Sequence, residues 1–127
     1  MKPAKWNWEI YKGETVVKTF TLSKNDENGD PKPFPSGEGV GVRSQLRTAE
    51  GELFASFTSE ESGGWTVSTG AEKHTFILTI PADVTSTYTA QTGIKFSIEV
   101  FDGTGFVCIP YQGRVKIYEE ITIEESP

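Results

Sequence analysis

Hydrophobic and polar residues alternate with a period of two along most of the chain, which predicts β-strands. The most regular segment is IKFSIEVF, where Ile94, Phe96, Ile98 and Val100 share one face. Similar alternation predicts strands in TVVKTFTL, GVGVRSQLR, ELFASF, GWTVST and HTFILTI. Their predicted inward-facing residues are Val16, Phe20, Leu22, Val40, Val42, Leu46, Leu53, Ala55, Phe57, Trp65, Val67, Phe76, Leu78 and Ile80.

Glycine, proline and asparagine mark the turns between these strands. DGTG predicts a hairpin turn, and ENGD predicts a β-turn within the proline-rich 24–39 loop. Pro110 and Gly113 interrupt the long last strand and predict a bulge, a bend or an edge position there. The threonine-rich stretch PADVTSTYTAQTG leaves room for at most one short helical turn near 83–92.

This pattern predicts an all-β fold, with residues 1–127 forming a single antiparallel immunoglobulin-like β-sandwich of seven to eight strands. A small barrel is the second interpretation. Residues 1–12 are expected to form an N-terminal segment that docks on a neighbouring subunit, and residues 119–127 an acidic C-terminal tail.

Charge and hydropathy narrow the classes of partner. The chain has 12 basic and 18 acidic residues, a net charge of -6, so we expect neither nucleic acid nor membrane as a partner. The N-terminal sequence has no apolar run of the kind that a signal peptide needs, and we expect synthesis in a cytoplasm. The single Cys108 offers no disulfide framework.

Few residues offer catalytic or metal-binding chemistry. His74 is the only histidine, and its place on the polar face of a strand predicts a solvated side chain. KNDENGDP resembles a calcium loop only superficially, because Lys24 and Pro35 would occupy its first and twelfth ligand positions. We therefore expect no enzyme activity, no catalytic residues, no cofactor and no bound metal.

Aromatic residues near the chain start, in the proline-rich loop and on the last hairpin are the candidate protein interface. They are Trp6, Trp8, Tyr11, Phe34, Phe101, Phe106 and Tyr111. Two other interpretations are open for them. Burial in the core is one, and a stacking platform for sugars is the other.

The order of short motifs along the chain resembles a known family. The motifs are Gly13-Glu14-Thr15, Asp26 to Pro31, Val42 to Arg47, Thr85 to Gly93, Phe96 to Val100, Asp102-Gly103, Gly113-Arg114-Val115 and Ile121-Thr122. In this order they resemble the small immunoglobulin-like β-sandwich structural proteins of tailed bacteriophages, including the N-terminal domain type of baseplate upper proteins. The proline-rich KPFPSGEG departs from that pattern.

The resemblance implies a non-catalytic virion protein, an adaptor or decoration in the tail, baseplate or neck. Its implied partners are other virion proteins and copies of itself, and its implied location is the virion, after synthesis in the host cytoplasm. A carbohydrate-binding or host-adhesion β-sandwich module is the alternative function.

Overall fold

The computed structural model describes residues 2–119, which form nine β-strand segments and one short helix. The strands are β1 (Ala4–Lys5), β2 (Trp8–Tyr11), β3 (Val16–Ser23), β4 (Gly41–Arg47), β5 (Leu53–Thr58), β6 (Trp65–Ser68), β7 (Lys73–Ile80), β8 (Gln91–Phe101) and β9 (Val107–Tyr118), and the helix is α1 (Ala82–Thr85). The predicted all-β class is confirmed. The acidic tail expected at 119–127 lies outside the described residues apart from Glu119.

The strands form two sheets. The large sheet has the order β1-β9-β8-β4-β5, with β2 also pairing to β9, and the small sheet has the order β3-β7-β6. The expected purely antiparallel arrangement is wrong at one edge, because β1 and β2 pair with β9 in parallel. A parallel pair needs a long crossover connection, and here almost the whole chain lies between the paired strands.

A hydrophobic core lies between the sheets. The buried residues predicted from Ile94 to Val100 all belong to it, and Trp8 and Ile10 of β2 complete it from the N-terminal side. The indole Nε1 of Trp65 on β6 donates a hydrogen bond of 3.0 Å to Ser44 Oγ on β4. This buried bond joins the two sheets and satisfies both polar groups.

Strand β5 departs from its predicted orientation at Leu53. Leu53 is 53% exposed, whereas Ala55 and Phe57 are half-buried and pack against the core as predicted. The register shifts by one residue, since Leu46 pairs with Ala55 whereas Arg47 pairs with Leu53. A one-residue shift moves a side chain to the opposite face, so Leu53 points outward with Arg47.

Two local predictions are confirmed. The register between β8 and β9 changes so that Ile98 pairs with Tyr111 but Val100 with Cys108, which is a bulge around Pro110. The turn predicted at ENGD forms one residue earlier, over residues 26–29, where Gly29 N donates a hydrogen bond of 3.0 Å to Asp26 O. The expected helical turn is α1, and within residues 2–119 no helix is long and apolar enough to cross a bilayer.

The N-terminal segment is fastened to β9 at Gly113. Trp6 N donates to Gln112 O at 3.0 Å, and Arg114 N donates to Asn7 Oδ1 at 3.1 Å. A Cβ atom at Gly113 would overlap the carbonyl group of Trp6. The structure therefore places residues 4–11 on their own β9, where the sequence suggested docking on a neighbour.

We predict that Gly113→Ala destabilises the protein by about 1–3 kcal/mol, because the new methyl group must push away the backbone of Trp6. Urea unfolding followed by tryptophan fluorescence measures this loss. Gly37→Ala is the matched control, since a Cβ there meets no atom within 4 Å, and its effect should stay within about 0.5 kcal/mol. Equal effects of the two substitutions would contradict the prediction.

Candidate protein interface

Three of the seven aromatic candidates belong to one cluster at the side of the sandwich. Trp6 and Tyr111 have ring centroids 5.1 Å apart, and Trp6 lies 5.4 Å from Trp8 in an edge-to-face contact. Trp8 also packs on Phe96 at 4.2 Å and is only 1% exposed. Trp8 is therefore a core residue, and its assignment to the interface is wrong. Ile10, which lies two residues further along β2 on the same face, is also buried.

Two further candidates lie apart from this cluster. Tyr11 is 39% exposed and stacks on Tyr118 with a centroid distance of 4.7 Å. Phe101 lies at the end of β8, where it is half-buried and pairs across the sheet with Val107. The seven candidates thus occupy separate parts of the molecule.

Phe34 and Phe106 meet at one end of the sandwich. They line an open cleft of about 560 Å³ between the proline-rich loop, the β6–β7 connection and the β8–β9 turn. Phe34 stacks on the imidazole of His74 at 4.2 Å and 11°, so one face of its ring is covered. Both residues were predicted as candidates, but their proximity was not.

His74 corrects a second prediction, since it is fully buried where the sequence predicted a solvated side chain. Its Nε2 lies 2.9 Å from Pro35 O, and its Nδ1 accepts a hydrogen bond of 3.2 Å from Gly70 N. This pattern assigns the ring proton to Nε2, which donates to the carbonyl. The physical reason for burial is that His74 is in phase with Phe76 and Leu78 on the core face of β7, and the proline-rich loop covers the start of that strand.

Asp102 holds the same loop from the other sheet. Its carboxylate accepts hydrogen bonds from the Thr104 hydroxyl at 2.6 Å, from Ser36 N at 2.8 Å, and from the backbone N–H groups of Thr104 and Phe106. The Thr104 hydroxyl, followed by these backbone donors, holds the pKa of Asp102 well below the usual range, although burial opposes the shift. Both carboxylate oxygens therefore accept hydrogen bonds from within the protein.

The described residues offer little for catalysis. Within 2–119, no three or more His, Cys, Asp or Glu side chains are grouped so that they could hold a metal ion. The polar atoms of His74 and Asp102 are hydrogen-bonded to the proline-rich loop and to the neighbouring β6–β7 and β8–β9 connections. Burial raises the pKa of the Cys108 thiol, which opposes formation of a nucleophilic thiolate.

The outward face of the large sheet has two distinct regions. The first is an apolar patch of Phe101, Val107 and Ile109, in which Val107 is 54% exposed and Ile109 is 39% exposed. Arg43 lies beside it, with its guanidinium 4.8 Å from the Phe101 ring centroid and an ion pair to Glu99. An apolar centre beside an arginine is typical of residues that dominate protein interfaces.

The second region is a basic groove at the N-terminal edge of the same sheet. Four cationic side chains, those of Lys2, Lys5, Lys95 and Arg114, line a shallow groove of about 450 Å³. The other lining residues are Pro3, Phe96, Gln112 and Gly113, so no carboxylate lines it. Among residues 2–119, none of the four cations lies within 4.0 Å of a carboxylate oxygen.

Neither the basic groove nor, apart from Phe101, the apolar patch was predicted from the sequence. The proximity of Lys95 to Arg114 depends on the β8–β9 register, and that of Lys5 depends on parallel pairing with β9. Val107 and Ile109 alternate with Cys108, a signal that alone could have identified them as outward apolar residues.

Comparison with known protein families finds no family model that matches the chain, and comparison with curated proteins finds no match in sequence.

We predict that Asp102→Asn lowers the urea midpoint at pH 7, because the amide replaces a charged acceptor of several hydrogen bonds. The folded-state pKa lies below the unfolded value, so the stabilisation is present above about pH 4 and is lost as pH falls further. The difference between wild type and variant should therefore shrink from pH 7 to pH 3.

Asp30→Asn is the control for this prediction, since Asp30 is exposed in the turn after β3. It should shift the midpoint little at either pH. A difference between wild type and Asp102→Asn that stays constant or grows on acidification would contradict the role of the Asp102 charge.

Proposed function

We propose that this protein is a non-catalytic structural component of a tailed-bacteriophage virion, an adaptor or decoration that works by protein–protein assembly. The observation that carries the proposal is the apolar patch of Phe101, Val107 and Ile109 on the open face of the large sheet. Exposed apolar side chains that neighbour one another on a sheet lose contact with water when a partner covers them. The sequence motifs that resemble phage structural proteins supply the virion context.

The strand order supports the finer part of this proposal, an immunoglobulin-like class of sandwich. In such domains strands B, E and D form one sheet and strands G, F, C and C′ the other. Here β3-β7-β6 and β9-β8-β4-β5 follow that order. The loops then lie at the two ends and leave the sheet faces open for partners.

A patch of three apolar residues is small for a tight pairwise interface. Repeated copies overcome this limit, because linked binding events act at a high effective concentration. A symmetric particle supplies such repetition, so weak contacts per copy suffice for stable assembly. The proposed partners are accordingly other proteins of the tail, baseplate or neck and copies of this chain.

The direct test is mass spectrometry of particles purified from a culture that produces the protein. We expect the chain in the particles at a fixed ratio to the portal protein. Val107→Glu should reduce incorporation on the order of tenfold, because it places a charge in the apolar patch. Val17→Glu is the matched control, since Val17 is 58% exposed but lies on β3 of the small sheet, and it should be incorporated normally.

Recovery of the wild-type protein only in the particle-free fraction would overturn the proposal. Glycan-array binding by that fraction would instead support the carbohydrate-binding or host-adhesion alternative. Equal incorporation of Val107→Glu and wild type would remove the apolar patch as the docking surface.

A further inference from the structure

We infer that the basic groove is a docking site for an acidic peptide segment, and that its occupant is the stretch 120–125 of a second copy of this chain. This inference rests on the proposed function, because it names one contact by which copies of the protein assemble. It concerns the groove of Lys2, Lys5, Lys95 and Arg114 and does not involve the apolar patch.

Positive charge is concentrated in this groove. The groove holds four of the chain's twelve basic residues, which leaves eight to balance eighteen acidic residues elsewhere. Like charges that are brought together repel one another, and here no carboxylate among the described residues offsets them within 4.0 Å. An anionic ligand would remove that repulsion.

The size and surroundings of the groove favour an acidic peptide over a nucleic acid as the anion. A nucleic acid carries phosphates at regular intervals well beyond the groove, where the rest of this acidic chain would repel them. A short peptide carries its charge only where the groove can accept it. The backbone N–H groups and carbonyls of such a peptide can also bond to the side-chain amide of Gln112, which lines the groove.

The sequence itself contains a segment of complementary charge. EEITIEE, residues 119–125, has four glutamates and no basic residue. Glu119 is paired with Lys12 of its own copy, so Glu120, Glu124 and Glu125 are the three that can face the four positive charges of the groove. Elsewhere the acidic residues are more dispersed or have basic residues close by in sequence, as in KNDENGDPK.

The course of β9 favours a segment supplied by a second copy over the segment of the same copy. Strand β9 runs past Arg114 to Tyr118, about 13 Å further along the sheet. Lys12 N donates a hydrogen bond of 3.0 Å to Tyr118 O, and Lys12 Nζ lies 3.7 Å from Glu119 Oε2. To reach its own groove the following chain would have to reverse at once, and EEITIEE contains no Gly, Pro, Asn or Asp to favour a reversal.

The test measures self-association of the full chain by sedimentation velocity across a concentration series. We expect concentration-dependent dimers or larger species at about 0.1 M salt, where long-range repulsion between acidic copies is screened beyond about 10 Å. Association should weaken at about 0.5 M salt, because exposed ion pairs in the groove are screened as well.

Two charge-reversed variants separate the groove from its occupant. The groove variant carries Lys95→Glu and Arg114→Glu, and the segment variant carries Glu120→Lys, Glu124→Lys and Glu125→Lys. Each alone should weaken association by about tenfold or more. An equimolar mixture should associate again, because each variant then offers the charge that the other lacks.

The matched control is Lys32→Glu with Lys73→Glu, which reverses two exposed lysines away from the groove and should leave association unchanged. Circular dichroism and thermal melting check that every variant is folded. A wild-type chain that stays monomeric throughout the series would overturn the inference, as would unchanged association of the groove variant or no recovery in the mixture.

These results are independent of the particle test. A monomeric chain that is still found in purified particles would overturn the groove inference and leave the proposed function intact. A chain that self-associates through the groove but is absent from particles would overturn the proposed function and leave the groove inference intact.

Discussion

The close approach of two backbones at Gly113 is the contact that fixes the N-terminal segment to the large sheet. Only a residue without a side chain lets the carbonyl of Trp6 lie against β9, and this contact sets where the N-terminal segment runs. From there, Trp8 and Ile10 enter the core beside Val115 and Ile117 in a fixed register. This placement produces the parallel pairing of β1 and β2 with β9. It also brings Lys2 and Lys5 to the basic groove, because both lie on the same segment.

The strands and the core were largely predictable because they depend on local information. The side chains of β8 alternate without interruption, and each of its four predicted inward residues is buried. Pro110 lacks an N–H group, so an irregularity near it was also predictable. These features need only the sequence near each residue.

The basic groove was not predictable, since it depends on register and on contacts distant in sequence. The prediction for His74 was wrong for a local reason, because His74 is in phase with Phe76 and Leu78 and the alternation places it on the core face of β7. Only the partner of its hydrogen bond, Pro35 O in a loop 39 residues away, needed the folded structure. The outward orientation of Leu53 results from a one-residue shift that no residue type marks clearly. Lys5 and Lys95 are 90 residues apart and meet only because both sit next to β9. The alternation of residue types predicts on which face of its strand a side chain lies, whereas strand pairing determines which residues of other strands lie beside it.

The apolar patch and the basic groove of the large sheet therefore differ in rigidity. At the β8–β9 turn, Asp102 holds the proline-rich loop from the large sheet and His74 holds it from the small sheet. A loop fixed to both layers cannot move without breaking buried hydrogen bonds, so the surface beside the apolar patch is organised before any partner arrives. The basic groove is built instead from long, exposed lysine and arginine side chains that adjust to an anionic ligand. A rigid apolar contact gives affinity, and an adjustable charged contact gives orientation and rate of encounter. Together they suit a subunit that must meet its partners in one orientation and in many copies.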